Sequence, residues 1–174
     1  RTTQSDLSSG MLDAAGRNLV VTGRAFQFKE IDAQSISFED ETFDVVIANH
    51  MLYHVDDRQR GLAEIRRVLR RGGALFAATN GADHLRELKE LMLAFGIDAH
   101  DVSLSFTLEN AEEQLRGVFD DIRREEYVDS LLVTEPDALL RYVASVSARG
   151  AEVVEARGED MRAWIEARTR DGAF

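Results

Sequence analysis

The chain contains no cysteine. That removes disulfides, thiolate metal sites and a cysteine nucleophile from consideration. Positive charge is also scarce: 21 Lys and Arg stand against 32 Asp and Glu, for a net charge of −11. Phosphate-rich partners rely on clustered cations, so nucleic acid is not an expected partner. The one basic cluster, Arg66, Arg67, Arg70 and Arg71, falls at a helix end, where it complements the dipole. No apolar run approaches membrane-spanning length and no secretory signal is visible, so no membrane partner is expected. A reducing cytoplasm fits the missing cysteines. There is a single proline, and hence no Pro-rich linker; no internal repeat or low-complexity segment is found. Beginning Arg-Thr-Thr without an initiator methionine, the chain reads as part of a longer gene product.

What is present is organised around Phe43-Asp-Val-Val-Ile-Ala-Asn49. Such an apolar, β-branched run predicts a strand buried on both faces, as in a parallel sheet covered by helices. Gly73-Ala-Leu-Phe-Ala-Ala-Thr79 repeats the pattern. Between the two, Asp57 to Arg70 carries Leu62, Ile65, Val68 and Leu69 on one helical face. Strand, amphipathic helix and strand form a right-handed βαβ unit. In open sheets of this kind ligands bind beyond the carboxyl ends of the strands, here Asn49 to His54 and Asn80.

Upstream, residues 1–5 read as the end of a strand. Ser8 or Ser9 caps a helix carrying Met11, Leu12 and Ala15 that ends near residues 16–18. A strand from Phe26 to Ile31 follows, then a polar loop over 32–42 with Ile36 and Phe38 tucked beneath it. Downstream, Asn80-Gly81 signals a turn. Asp83 to Phe95 is predicted to be a helix with Leu85, Leu88, Leu91, Met92 and Phe95 on one face. A loop over 100–105 and a short helix from Asn110 to Val118 come next, then a strand or bent strand pair from Asp121 to Leu132. Thr134-Glu-Pro-Asp137 predicts a helix capped by Thr134, burying Leu139, Leu140, Val143 and Val146. A last helix over Glu159 to Thr169 presents Met161, Trp164, Ile165 and Arg168. The stretch from Tyr142 to Trp164 reads either as packing or as a lid.

Three polar sites fall at strand ends. Asp6 follows the first strand, where a carboxylate can accept both hydroxyls of a ribose; it serves equally as a turn residue or helix cap. Asp32 follows the second, where it can accept from an exocyclic amine beside the small Ala33; the alternative is a solvated loop acid. Asn49 and His50 terminate the third strand. His50 and His54 lie four apart, but the intervening Met-Leu-Tyr lacks the glutamate of a zinc-protease motif and no third ligand is evident, so no metal is expected.

The stretch from Asp32 to Val55 (Asp-Ala, then Ile-Ser-Phe, Phe-Asp-Val-Val, and Leu-Tyr-His) resembles the central signature of the class I S-adenosylmethionine-dependent methyltransferases. Glu64-Ile-Arg-Arg-Val-Leu-Arg-Arg-Gly-Gly73 resembles the helix and turn that follow in that family, and Asp6 to Ala15 the segment after its second strand. Ser37 and Arg71 stand where the family favours proline. The resemblance covers Asp6 to about Asn80. More loosely, Phe106 to Asn110 and Tyr127 to Leu131 are similar to a small-molecule subgroup.

The resemblance implies an α/β fold: a doubly wound, Rossmann-like, mostly parallel sheet with helices on both faces, plus extra C-terminal helices. It implies a single domain over 1–174, with 1–81 as the cofactor side and 82–174 carrying any acceptor or lid helices. The implied cofactor is S-adenosylmethionine. Asp6 would bind its ribose, Asp32 its adenine amine, and Ala33 its ring through the N–H. Asn49 and His50 would lie beside the methionine portion, with Leu7 and Met11 packed on the adenosine. The family's glycine-rich loop after the first strand would precede Arg1, and one more strand would follow Phe174, so the sheet is expected to be incomplete at the N-terminus.

The implied activity is methyl transfer to a small-molecule acceptor. If the acceptor must lose a proton, His54 is the chosen base among His50, Tyr53, His54 and His100; its alternative role is to brace the following helix. A homo-oligomer is among the expected assemblies, since a partner subunit offers another source for the absent strand. Two competing readings remain: a non-catalytic methyltransferase-like binding or oligomerisation module, and a nicotinamide-dependent oxidoreductase on the same fold.

Overall fold

Alternation of short strands with amphipathic helices governs the first half of the chain, and helices alone the second. The computed structural model describes residues 2–98, 105–169 and 174. The order is β1 (Thr2–Asp6), α1 (Ser9–Leu19), β2 (Phe26–Glu30), β3 (Phe43–Asn49), α2 (Arg58–Val68), β4 (Leu69–Ala78), α3 (Arg86–Ala94), α4 (Ala111–Leu115), α5 (Pro136–Val146) and α6 (Ala148–Glu166). The described residues form two compact units, 2–82 with 105–123, and 83–98 with 124–169 and 174. Among them no helix is long and apolar enough to cross a membrane.

In the first unit β1 pairs with β2 and β3 with β4, both in parallel. The strands thus form two two-stranded parallel sheets, each with a crossing helix. Ser8 caps α1 through its hydroxyl, which accepts from Met11 N at 3.3 Å. Asp57 caps α2 by accepting from Arg60 N at 3.0 Å.

An isolated helix of α2's length is marginal in water, so burial has to hold it. Leu62, Ile65 and Val68 are all buried, as is Leu69, where the chain turns into β4. At roughly 1.5–3 kcal/mol each, these side chains outweigh weak intrinsic propensity. The strand begins four residues before the predicted Gly73. Its register against β3 is irregular between Phe43 and Val45, where Gly72 has φ +76°. A Cβ on the neighbouring Gly73 would lie 2.9 Å from the Asp44 carbonyl oxygen, so the backbones pass too closely there for any side chain.

β3 corrects the expectation of burial on both faces. Val46 and Ala48 pack with Leu52, Leu62 and Phe106. The opposite face presents Val45, Ile47 and Phe76 at 47%, 66% and 60% exposure, because no element among the described residues covers it.

In the second unit α5 and α6 pack through Leu139, Leu140, Val143, Val153, Met161 and Ile165, with Leu88, Leu91 and Met92 of α3 in the same core. Helix α3 begins at Arg86 rather than Asp83 because Leu85 sits at φ +54°, which breaks the helical path. The strand expected over 121–132 is absent. That stretch finds no partner strand among the described residues, and Tyr127, Val128, Leu131 and Leu132 stand exposed. Among the described residues, Val133 exchanges two backbone hydrogen bonds with Phe174.

Thr134 does not cap α5. Glu135 precedes Pro136 without a side-chain bond, and Asp137 pairs with Arg162 instead of completing a capping box. Val146 is half-exposed rather than buried. The last helix starts at Ala148, capped by the Ser147 hydroxyl, and kinks at Arg157. Trp164 is engaged in packing, edge-on to Phe174 at 6.0 Å with Arg168 stacked on it at 3.7 Å.

The α5–α6 contact depends on Gly150, where a Cβ would overlap the Val143 carbonyl oxygen, whereas Gly158 has open space around it. Gly150→Ala should destabilise the second unit by about 1–3 kcal/mol, and Gly158→Ala should be neutral or slightly stabilising. Urea unfolding followed by Trp164 fluorescence checks both. Equal midpoints for Gly150→Ala and the parent chain would refute the close approach.

Candidate functional site

Parallel pairing fixes which residues reach the same end of a sheet. Asp6 is in register with Glu30 and accepts from Ile31 N at 3.1 Å through its backbone carbonyl, so it and Asp32 emerge at neighbouring carboxyl ends. Asn49 is in register with Ala78, and His50 N donates to the Ala78 carbonyl at 2.9 Å, which places both residues at the carboxyl end of β3. His50 takes φ +49°. A left-handed histidine is uncommon, and here it reverses the chain as it leaves the strand. A 3-10 turn, Leu52–His54, follows, with Leu52 buried and His54 exposed.

Both acids shape their own loops. Asp6 Oδ1 accepts from Ser8 N at 2.8 Å, and Asp32 Oδ1 accepts from Gln34 N at 2.8 Å. Each therefore fulfils the bland role open to it in the sequence while presenting a carboxylate at a strand end. Leu7 and Met11 lie beside Asp6 in the chain, 66% and 59% exposed. Two hollows lie elsewhere: one of about 480 Å³ between α5 and α6, lined by Arg141 and Arg157 among others, and one of about 660 Å³ beside Asp40, Arg66 and Val118. His100 lies outside the described residues.

The two sheet ends are tied together by polar groups that sequence reasoning missed. The Gln34 amide donates to Asp32 Oδ1 at 3.2 Å, and its carbonyl accepts from Asp57 N at 2.9 Å, linking the β2 end to the start of α2. At Gly61 of α2, a Cβ would meet Val55 at 3.2 Å and the Ala33 carbonyl at 3.7 Å, so the Asp32-Ala33 loop rests directly on this helix.

Glu64 and Arg67 strap the remainder of that loop. Arg67 grips Glu64 with two bonds of 2.8 and 2.9 Å, reaches Asp40 at 2.7 Å, and donates to the carbonyls of Ile36 and Phe38. Glu64 in turn accepts from Ile36 N at 2.9 Å. The Arg67 hydrogen bonds hold the Glu64 carboxyl below the usual carboxylate range; burial opposes this, and Ile36 N–H and Arg60 assist.

A second network surrounds Arg58, at the first position of α2. Its guanidinium donates to the Leu52 carbonyl at 2.8 Å, Gln114 Oε1 at 3.0 Å and Ser105 Oγ at 2.7 Å. Burial lowers its pKa from the ordinary arginine value, though arginine stays charged. Residues 105–110 also close over the end of β4: Thr79 Oγ1 donates to the Phe106 carbonyl at 2.5 Å and Leu108 N to the Asn80 carbonyl at 3.1 Å. The signal available in the sequence was an arginine directly after an N-cap aspartate, where the helix dipole disfavours a cation.

A parallel α/β unit with carboxylates and a reversed backbone at its strand ends has a Rossmann-like architecture, in which the carboxyl ends of the strands are the usual place for a ligand. Residues 1–77 match the family model described as a methyltransferase domain. Demethylmenaquinone methyltransferase of Clavibacter sepedonicus is 37% identical over 71 residues, 41% of this chain and 29% of that protein. Malonyl-[acyl-carrier protein] O-methyltransferase of Enterobacter lignolyticus is 31% identical over 137 residues, 79% of this chain and 51% of that protein. The matched chain thus spans about half of the second relative and less of the first. In fold it is similar to the YcgJ protein of Bacillus subtilis, with a TM-score of 0.57 at 18% identity over 90% of this chain and 70% of that one. Residues 1–77, under half of the chain, are thus similar to methyltransferase domains, and the relatives named here are methyltransferases.

The depressed Glu64 pKa has a definite sign. Its stabilising contribution is present above the unfolded carboxyl pKa of about 4.3 and is lost as pH falls through the lower folded value. Glu64→Gln should therefore cost roughly 1 kcal/mol at neutral pH, the difference from the parent chain fading below about pH 4. Urea midpoints across this range check it. A difference that persists unchanged into acid would show that the ion pair is not responsible.

Proposed function

We propose that this chain binds S-adenosylmethionine across the carboxyl ends of β1, β2 and β3 and supports methyl transfer to a small-molecule acceptor. One observation carries the reading: two carboxylates emerge at neighbouring parallel strand ends within a stretch that matches the methyltransferase domain model. The donor set fits an adenosine. Asp6 takes the ribose hydroxyls, Asp32 the exocyclic amine, and the Ala33 N–H the ring. Leu7 and Met11, both exposed at this end, cover the base. Asn49 and His50 lie by the methionine portion. When bound, S-adenosylmethionine supplies a methyl group on an already activated sulfonium.

The protein's task is then to exclude water and align the acceptor, a contribution that can reach ~7–11 kcal/mol. His54, exposed in the turn beyond β3, takes a proton from acceptors that must lose one. The two named relatives are a demethylmenaquinone methyltransferase and a malonyl-[acyl-carrier protein] O-methyltransferase, and neither acceptor is carried over here. A methyltransferase-like binding module is the second reading, favoured by the uncovered Val45, Ile47 and Phe76 face.

Titration calorimetry with S-adenosylmethionine separates the readings. The parent chain should bind, and Asp32→Ala and Asp6→Ala should each weaken binding by about tenfold or more, the loss expected for a charged hydrogen-bond partner. Binding that survives both substitutions would place the cofactor elsewhere. No binding by the parent chain favours the module.

A further inference from the structure

We propose that Arg58 is a positioning residue for this site, clamping the Tyr53–His54 turn and the 105–115 segment in fixed relation beyond β3 and β4. The inference rests on the methyltransferase reading. A cation in the first turn of a helix works against the dipole, and no carboxylate pairs with Arg58 among the described residues. Its partners are three neutral oxygens from two separate stretches of chain: the Leu52 carbonyl, and Ser105 Oγ and Gln114 Oε1 of the 105–115 segment. The aromatic ring of buried Phe106 lies 5.8 Å away.

Each partner passes the constraint onward. Ser105 Oγ lies 3.1 Å from the Tyr53 carbonyl, to which it donates, closing a second tie to the turn that carries His54. Gln114 Nε2 donates to Asn110 Oδ1 at 2.9 Å and to the Ser105 carbonyl at 3.1 Å, and Asn110 Oδ1 also accepts from Thr107 N at 2.8 Å. The segment so braced is the one that Thr79 and Asn80 dock onto the end of β4. One planar fork therefore sets the distance between two walls of the proposed acceptor side. A lysine cannot do this, because its ammonium is a compact point donor without the fork's geometry. Displacements of about 1 Å in such walls are enough to cost ~100-fold in rate.

The test compares the parent chain with Arg58→Met and Arg58→Lys. Backbone amide exchange is read by mass spectrometry, S-adenosylmethionine affinity by calorimetry, and the His54 ring by NMR as S-adenosylmethionine is added. In Arg58→Met, exchange should rise at least about tenfold in both 50–57 and 105–116. Affinity should stay within about twofold, and the cofactor-induced movement of the His54 signals seen in the parent should vanish. Arg58→Lys should recover that movement only in part. Faster exchange in one segment alone, affinity falling in step, or a His54 response that survives Arg58→Met overturns the proposal. A parent chain that binds no S-adenosylmethionine overturns the methyltransferase reading and the positioning role with it. The parent titration therefore distinguishes that failure from a failure of the clamp.

Discussion

The parallel register of β3 against β4, enforced by the apolar face of α2, is the constraint from which the first unit follows. Once Leu62 and Ile65 are buried with Val46 and Ala48, Asn49 must come level with Ala78. Everything that leaves those strands then begins from one end. The same logic in β1 and β2 brings Asp6 level with Glu30. No side-chain contact is needed to place these groups; the strand ladder does it, and the helices prevent slippage, since a one-residue shift would turn every apolar side chain to the wrong face.

Polar fasteners convert that common end into a shaped surface. Loops after parallel strands carry backbone groups that need partners, and the chain supplies them from α2. Gln34 joins Asp32 to the Asp57 N–H, while Glu64 and Arg67 fasten 36–40. Arg58 holds the turn after β3 together with the segment after residue 105. One helix thus buries its apolar stripe in the core and uses its polar flank to hold both neighbouring loops. The exposed pairs nearby, such as Arg70 with Asp44, add little to stability because water screens them.

Much of this was legible in the sequence. The bounds of β3 and a serine cap at Ser8 or Ser9 followed from periodicity and cap chemistry, as did the buried stripes of α2 and α3. The strand over 121–132 was misread because its apolar residues find no partner strand among the described residues, a fact set by the fold and not by local propensity. The start of α6 was hidden by Gly150, a poor helix former that the close pass of Val143 requires. At the site, the residues at strand ends were visible because motif and topology coincide there. Arg58, Gln34 and Gln114 were not, since their partners lie up to 56 positions away, and only the folded chain brings them into reach. The exposed face of Val45, Ile47 and Phe76 was likewise invisible, because an apolar strand reads the same whether one face or both are covered.

The central claim is that the carboxyl ends of β1, β2 and β3 act as a single adenosine-binding surface. Backbone NMR of the isotope-labelled chain titrated with S-adenosylhomocysteine tests it most directly. The account predicts that the amides of Leu7, Ala33, Asn49 and His50 shift along one common binding curve, while those of the α5–α6 core stay still. Shifts confined to α5 and α6, or separate curves for Leu7 and His50, would contradict it.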